Sequence, residues 1–171
     1  MFEGVSVNLM DIMAFRDAIS NTHKLWLDGN AELLISFTVN MMGPVKVNQA
    51  TRRIFQQGIA AIEQFYMDTS LIVLHAQRFE SAAGFHYVVA VSGRSSLLLK
   101  KQLIELELSL PYGRMMDIDV IDKSYRPVSR RCLGYAPRQC LICHQQAKDC
   151  ARNQTHSLAD LHLAISEILA S

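Results

Sequence analysis

Long apolar runs are missing from this chain. None approaches the ~18 residues a helix needs to span a bilayer, so no membrane partner is expected. A basic leader is missing too, because the N-terminus carries Glu3 and Asp11, and no secretory signal is expected. These absences point to a cytoplasmic protein whose four cysteines stay reduced. Internal repeats and low-complexity tracts are absent. There is no Ser-His-Asp order and no G-x-S-x-G elbow, which removes the usual signatures of a serine hydrolase. No P-loop pattern occurs. Only 19% of residues are charged while 50% are hydrophobic, a composition that excludes disorder. The 171 residues suffice for one domain.

What charge there is lies unevenly. Lys123, Arg126, Arg130, Arg131, Arg138, Lys148 and Arg152 stand with a single acid, Asp149, between positions 123 and 154. That stretch is +6, and with +1 overall the rest of the chain is −5. Such a block suits a polyphosphate or an acidic protein, or else forms a solvated basic surface; no nucleic-acid partner is expected.

Helical spacing runs from Met10 to Asp28 and stops at Gly29-Asn30. Leu33 to Val39 reads as a buried strand. Asn48 can cap a second helix reaching about Met67, with Phe55, Ile59, Ile62 and Tyr66 on one face. Ser70–Gln77 and Gly84–Val91 read as strands of a hairpin. A third helix follows Ser95 or Ser96 to about Ser109, with Leu99, Leu103, Leu106 and Leu110 in register and Lys101–Glu105 as an i,i+4 pair. Met115–Ile121 reads as a strand, and a last helix starts at Ser157. Helices alternating with strands predict an α+β fold: a single mixed β-sheet covered by helices, with a Cys/Arg-rich C-terminal helical segment. The expected division is a core over residues 1–125 and a basic segment over 126–171 packed on it, within one domain.

The stretch "GRMMDIDV" (113–120) puts two acids in an apolar strand. Side chains alternate along a strand, so Asp117 and Asp119 share one face while Met116, Ile118 and Val120 occupy the other. Two carboxylates so placed can hold Mg²⁺, which keeps substrate phosphate among its oxygen ligands. A half-exposed strand with a solvated polar face is the alternative. Glu105 and Glu107 precede the pair; either could be a third carboxylate, and Glu105 reads better as a helix surface charge. Gly43-Pro44-Val45-Lys46 lies between a strand and a helix, where a helix N-terminus and a lysine can meet phosphate; it also reads as a plain turn. Arg52 and Arg53 could add charge there. Cys140, Cys143, Cys150 and His156 have the spacing C-x2-C-x6-C-x5-H of a Zn²⁺ site. The three cysteines also fit one helical stripe with Ala147, as reduced core residues. Cys132 stands outside either pattern, and His23, His75, His86, His144 and His162 have no visible partner.

Four blocks together resemble the apo-citrate lyase phosphoribosyl-dephospho-CoA transferases. They are "LISFTVNMMGPVK" (34–46), "TRRIF" (51–55), "IELELSLPYGRMMDIDV" (104–120) and "SRRCLGYAPRQCLICHQQAKDCARNQTHSLADL" (129–161). The resemblance implies a nucleotidyltransferase-like protein, similar in activity to the malonate decarboxylase holo-protein synthases. It implies 2′-(5″-triphosphoribosyl)-3′-dephospho-CoA as donor, a serine of the citrate lyase acyl carrier protein (gamma) subunit as acceptor, and pyrophosphate as product. Asp117 and Asp119 match the acidic pair, Gly113 and Arg114 the residues before it, and Glu107 the acid upstream. Gly43, Pro44 and Lys46 match the loop. Arg130, Arg138, Cys140, Cys143, Cys150, Arg152 and His156 match the C-terminal signature, and Arg16 and Trp26 an N-terminal block. The implied roles are catalysis for Asp117, Asp119, Glu107 and Arg114, with Mg²⁺ on the two aspartates and Glu107 as a candidate general base. Gly43, Lys46, Arg52, Arg130, Arg138 and Arg152 would bind the donor. Met42 replaces a common proline, Ser109 a common histidine, and residues 79–98 match poorly. The same chemistry on a malonate decarboxylase carrier, or a non-catalytic zinc-stabilised module binding an acidic protein, are the alternatives; the Cys-rich signature favours the citrate lyase branch.

Overall fold

The computed structural model describes residues 1–170. Helix α1 spans Leu9–Asp28, strand β1 Leu33–Val39, helix α2 Gln49–Asp68, strands β2 Ile72–Ser81 and β3 Gly84–Ser92, helix α3 Ser96–Ser109, strand β4 Met116–Ile121, and helices α4 Ala147–Asn153 and α5 Leu158–Ala170. Each helix start has a local reason. Asn8 and Asp11 form a reciprocal capping box at α1. The Asn48 side chain accepts from the Thr51 N–H at α2, and Ser157 accepts from the Asp160 N–H at α5.

The four strands form one sheet in the order β2-β3-β1-β4. A mixed sheet was expected, but every neighbouring pair is antiparallel. The reason is insertion. Crossovers β1-α2-β2 and β3-α3-β4 each join two strands of like direction, yet β3 separates the first pair and β1 the second. The result is two interlocked split β-α-β units, the ferredoxin-like arrangement. Among the described residues, no helix is long and apolar enough to cross a membrane.

One face of the sheet carries the main core. Ile35, Phe37, Val89, Val91, Ile118 and Val120 pack there with Ile54, Ile59 and Ile62 of α2, Leu99 and Leu103 of α3, and Ile165 and Leu169 of α5. Gly58 lets α2 approach, since a Cβ there would sit 2.4 Å from the Phe37 ring. The other face is only partly covered. Leu27 of α1 meets Leu34, Val88, Ala90 and Ile121, and the remainder is polar. The register places Asp119 opposite Ser36 and Asp117 opposite Thr38 on this second face.

A half-buried histidine of α1 and a buried histidine of β3 meet at this face. The Nε2 atoms of His23 and His86 are 3.4 Å apart, and the Ser36 hydroxyl is 3.0 Å from His86 Nε2. Burial drives His23 down to about 4, and burial with the neighbouring His23 drives His86 down to about 3. Both imidazoles are therefore neutral in the fold, while the unfolded chain takes up protons near the ordinary histidine value of about 6.5. Stability should be full above that value and fall as pH falls below it. Urea midpoints measured from about pH 6.5 down to about pH 5, where carboxylates barely titrate, should decline. His86→Asn should flatten that decline; equal slopes in both proteins would count against the pair as its source.

Candidate functional site

Strand β4 is an edge strand, and an edge presents unpaired backbone groups. Here α3 covers them with charged side chains. The Ile118 N–H donates to Glu107 Oε1 (3.2 Å), and the Ile118 carbonyl accepts from Lys100 Nζ (2.6 Å). Lys100 and Glu107 are seven residues apart, two helical turns, so they share the α3 face that meets β4. Both are buried. The sequence reading missed Lys100. Its signal was the spacing Lys100, Leu103, Ile104, Glu107, a stripe that is buried at every position.

Glu107 is the hub. Its side chain is 4% exposed, and it accepts from Arg138 (2.7 Å), Arg130 (2.9 Å) and the Ile118 N–H. Burial pushes its carboxyl up, and Arg138, Lys100, Arg130 and the backbone bond pull it back. Burial works to lower the Arg138 guanidinium, but Glu107 and Asp117 outweigh it and hold it raised. Both oxygens accept from these donors, so Glu107 orients the two arginines that face the cleft.

Arg138 forks between two acids, with one nitrogen on Glu107 and the other on Asp117 Oδ1 at 2.6 Å. Asp119 Oδ1 takes Lys100 Nζ at 3.2 Å. The acids in the apolar strand are thus neutralised by the protein's own cations. Each uses one oxygen and stays accessible, with side chains 44% and 35% exposed. Mg²⁺ is commonly held by one or two carboxylates with substrate phosphates completing its shell. Two half-exposed carboxylates on one strand face fit that donor set.

Beside the pair opens a cleft of about 440 Å³, lined among others by Glu107, Gly113, Arg114, Arg130, Tyr135 and Arg138. Gly113 is fixed by contact: a Cβ there would lie 1.7 Å from the Glu107 carbonyl oxygen. Arg114 donates to the Cys140 carbonyl at 2.9 Å, which ties the cleft to the cysteine segment. Glu105 accepts from the Tyr135 hydroxyl at 3.3 Å, in line with a surface charge.

The loop after β1 lies at the same end of the sheet, as the Asn40 N–H donates to the Met115 carbonyl (2.8 Å). Lys46 Nζ donates to the Met41 carbonyl (2.6 Å), and burial followed by the nearby Arg16 lowers its pKa. Gly43 adopts φ 78° and packs on Leu158 of α5, so only glycine fits there easily. Arg52 is not brought to the cleft. It pairs with Glu80 of β2, on the opposite edge strand, at 2.6 Å. With Arg78 it lines a separate groove of about 260 Å³. Arg152 sits exposed on α4 and does not line the cleft.

Cys140, Cys143, Cys150 and His156 do come together, with one ligand atom from each all within 4.8 Å of one another. The single helical stripe fails, because α4 begins only at Ala147 and both Cys140 and Cys143 precede it in irregular backbone. Cys132 is exposed and outside the group.

An acidic pair on a sheet edge beside an arginine-lined cleft is the layout of a protein that handles phosphate-bearing ligands. The comparisons narrow that class. The sequence model of the family described as CitX, apo-citrate lyase phosphoribosyl-dephospho-CoA transferase, matches residues 7–171. Proteins of that name from Shigella boydii serotype 18 and Escherichia coli O157:H7 are each 35% identical to it over 156 residues, covering 91% of this chain and 85% of theirs. The chain belongs to the apo-citrate lyase phosphoribosyl-dephospho-CoA transferase family.

Removing the hub should be costly. Glu107→Ala strands two arginines and a backbone N–H, and breaking a buried ion pair costs about 3–5 kcal/mol. Chemical denaturation should register a loss of that order, whereas Glu105→Ala should stay within about 0.5 kcal/mol. Gly113→Ala should also destabilise strongly, since its methyl would meet backbone; an unchanged melting temperature would contradict the packing described.

Proposed function

We propose that this chain transfers the phosphoribosyl-dephospho-CoA group from 2′-(5″-triphosphoribosyl)-3′-dephospho-CoA to a serine of the citrate lyase acyl carrier protein (gamma) subunit. The observation that carries the reading is the coupling of Asp117 to Glu107 through Arg138, which lines an arginine-rich cleft. The serine oxygen forms a new bond to the phosphorus next to the ribose. The anhydride bond to the outer phosphates breaks, pyrophosphate leaves with that electron pair, and the serine proton passes to solvent.

Asp117 and Asp119 would hold Mg²⁺, which supplies neutralising charge to the triphosphate and its leaving group. Arg114, Arg130 and Arg138 bind the remaining phosphate oxygens; guanidinium forks suit phosphate geometry. Arg138 already neutralises Asp117 and lines the cleft, so this cation stands ready to turn to phosphate when the donor arrives. Glu107 keeps Arg130 and Arg138 aimed into the cleft. Lys46 and Arg16 extend positive charge at the same end of the sheet. The basic surface of residues 123–154 suits docking of an acidic carrier protein.

The test is intact-mass analysis of apo carrier subunit incubated with donor, Mg²⁺ and this protein. The carrier should gain the mass of one prosthetic group. Asp117→Asn and Asp119→Asn should lower the rate at least about 100-fold, the scale of losing one electrostatic contact in a transition state, while unfolding stays cooperative. Arg52→Ala should leave the rate within about twofold. No added mass with a competent donor would overturn the reading.

A further inference from the structure

Between Ile121 and Ile165, Cys140 and Cys150 are the only buried residues among those described. More than forty consecutive residues thus have almost no apolar core of their own. They nevertheless fold back tightly. The Cys140 N–H donates to the Gln145 carbonyl (2.8 Å), and the Ala147 N–H donates to the Arg138 carbonyl (2.9 Å). Helix α4 has seven residues, too few to persist alone in water. It then ends at Gln154, which holds the left-handed conformation at φ 48° without being glycine. Such strain persists only where the surroundings enforce it.

The two turns bring the cysteines and the histidine to one point. Cys143 Sγ lies 3.5 Å from Cys150 Sγ and 3.3 Å from His156 Nε2. A disulfide needs about 2.05 Å between sulfurs, and all four cysteines are free. Around a tetrahedral zinc, bonds of about 2.3 Å to sulfur and about 2.0 Å to nitrogen set ligand atoms roughly 3.5–3.8 Å apart. These two separations are already close to that, and all four ligand atoms lie within 4.8 Å of one another.

We propose that Cys140, Cys143, Cys150 and His156 bind one Zn²⁺ in a closed structural site, and that this clip fixes the segment carrying Arg138 against the cleft. Three cysteine thiols release their protons to solvent as thiolates and the histidine binds neutral, so the site carries a net charge of about −1. The site has four protein ligands and no open position, the mark of a structural rather than a catalytic zinc. The coupling to the cleft is short. Arg138 is two residues from Cys140, and Arg114 donates to the Cys140 carbonyl. The zinc site stands on its own geometry; only its consequence for catalysis rests on the proposed transfer.

Elemental analysis of the full chain, purified under reducing conditions and desalted with zinc in slight excess, should find about one zinc per chain. Cys143→Ser and His156→Ala should lose most of it, and Cys132→Ser should keep it. Cobalt substitution should give the intense visible absorption of a tetrahedral thiolate site. Chelation should expose residues 126–157 to protease while the sheet stays resistant. Less than about a tenth of an equivalent in the parent protein, or equal zinc in the Cys132 and Cys143 variants, would overturn the site. Zinc bound as expected without carrier modification would leave the site standing and remove the transferase reading. Full transfer by zinc-free protein would leave the transferase reading standing and remove the clip's role in holding Arg138 at the cleft.

Discussion

A carboxylate buried at the edge of a sheet sets the terms for the rest of this structure. Glu107 cannot be left alone in a low-dielectric site, so it gathers donors. Ile118, Arg130 and Arg138 supply them from three separate segments. Through that requirement one side chain caps an edge strand, docks α3 on it and draws the basic segment back over the sheet. Arg138 then passes the constraint on to Asp117. The acid that orders the site is not the one best exposed to do chemistry.

The split β-α-β connectivity explains why the site lies where it does. Strand β4 has a partner on one side only, so its outer edge is free to carry charged caps. Its alternation sends Met116, Ile118 and Val120 into the main core and Asp117 and Asp119 onto the thinly covered face. Burial on one side therefore guarantees the orientation of the acids on the other. A slip of one residue would invert both, and the core makes that slip costly. The electropositive cleft and the acids are neighbours because one buried ion-pair network holds both.

Much of this was legible in the residues. Strong periodicity located α1, α2, β1 and β4 closely, and the shared face of Asp117 and Asp119 followed from strand alternation. Composition marked the basic segment, and Cys-x2-Cys spacing marked the cysteine cluster. Pairing was less visible. Interleaved helices suggested a mixed sheet, because insertion of β3 and β1 between like-directed strands leaves no local trace. Lys100 was overlooked beside Lys101, as a buried ammonium looks like any surface lysine until a stripe is drawn through it. Arg52 was grouped with the phosphate-binding set by sequence proximity to the Gly43 loop, yet helix α2 turns it toward Glu80. Glu107 reads from sequence as a candidate third carboxylate beside the pair, because nothing local reveals two arginines arriving from positions 130 and 138.

The most direct test of the account is a crystal structure of the full chain with the triphosphate donor and a divalent cation. The account predicts the phosphates and cation at Asp117 and Asp119, with Arg114, Arg130 and Arg138 on the phosphate oxygens and Glu107 still beneath the arginines. Phosphates found instead in the groove between Arg52 and Arg78, with the acidic pair still bound to Lys100 and Arg138, would contradict it.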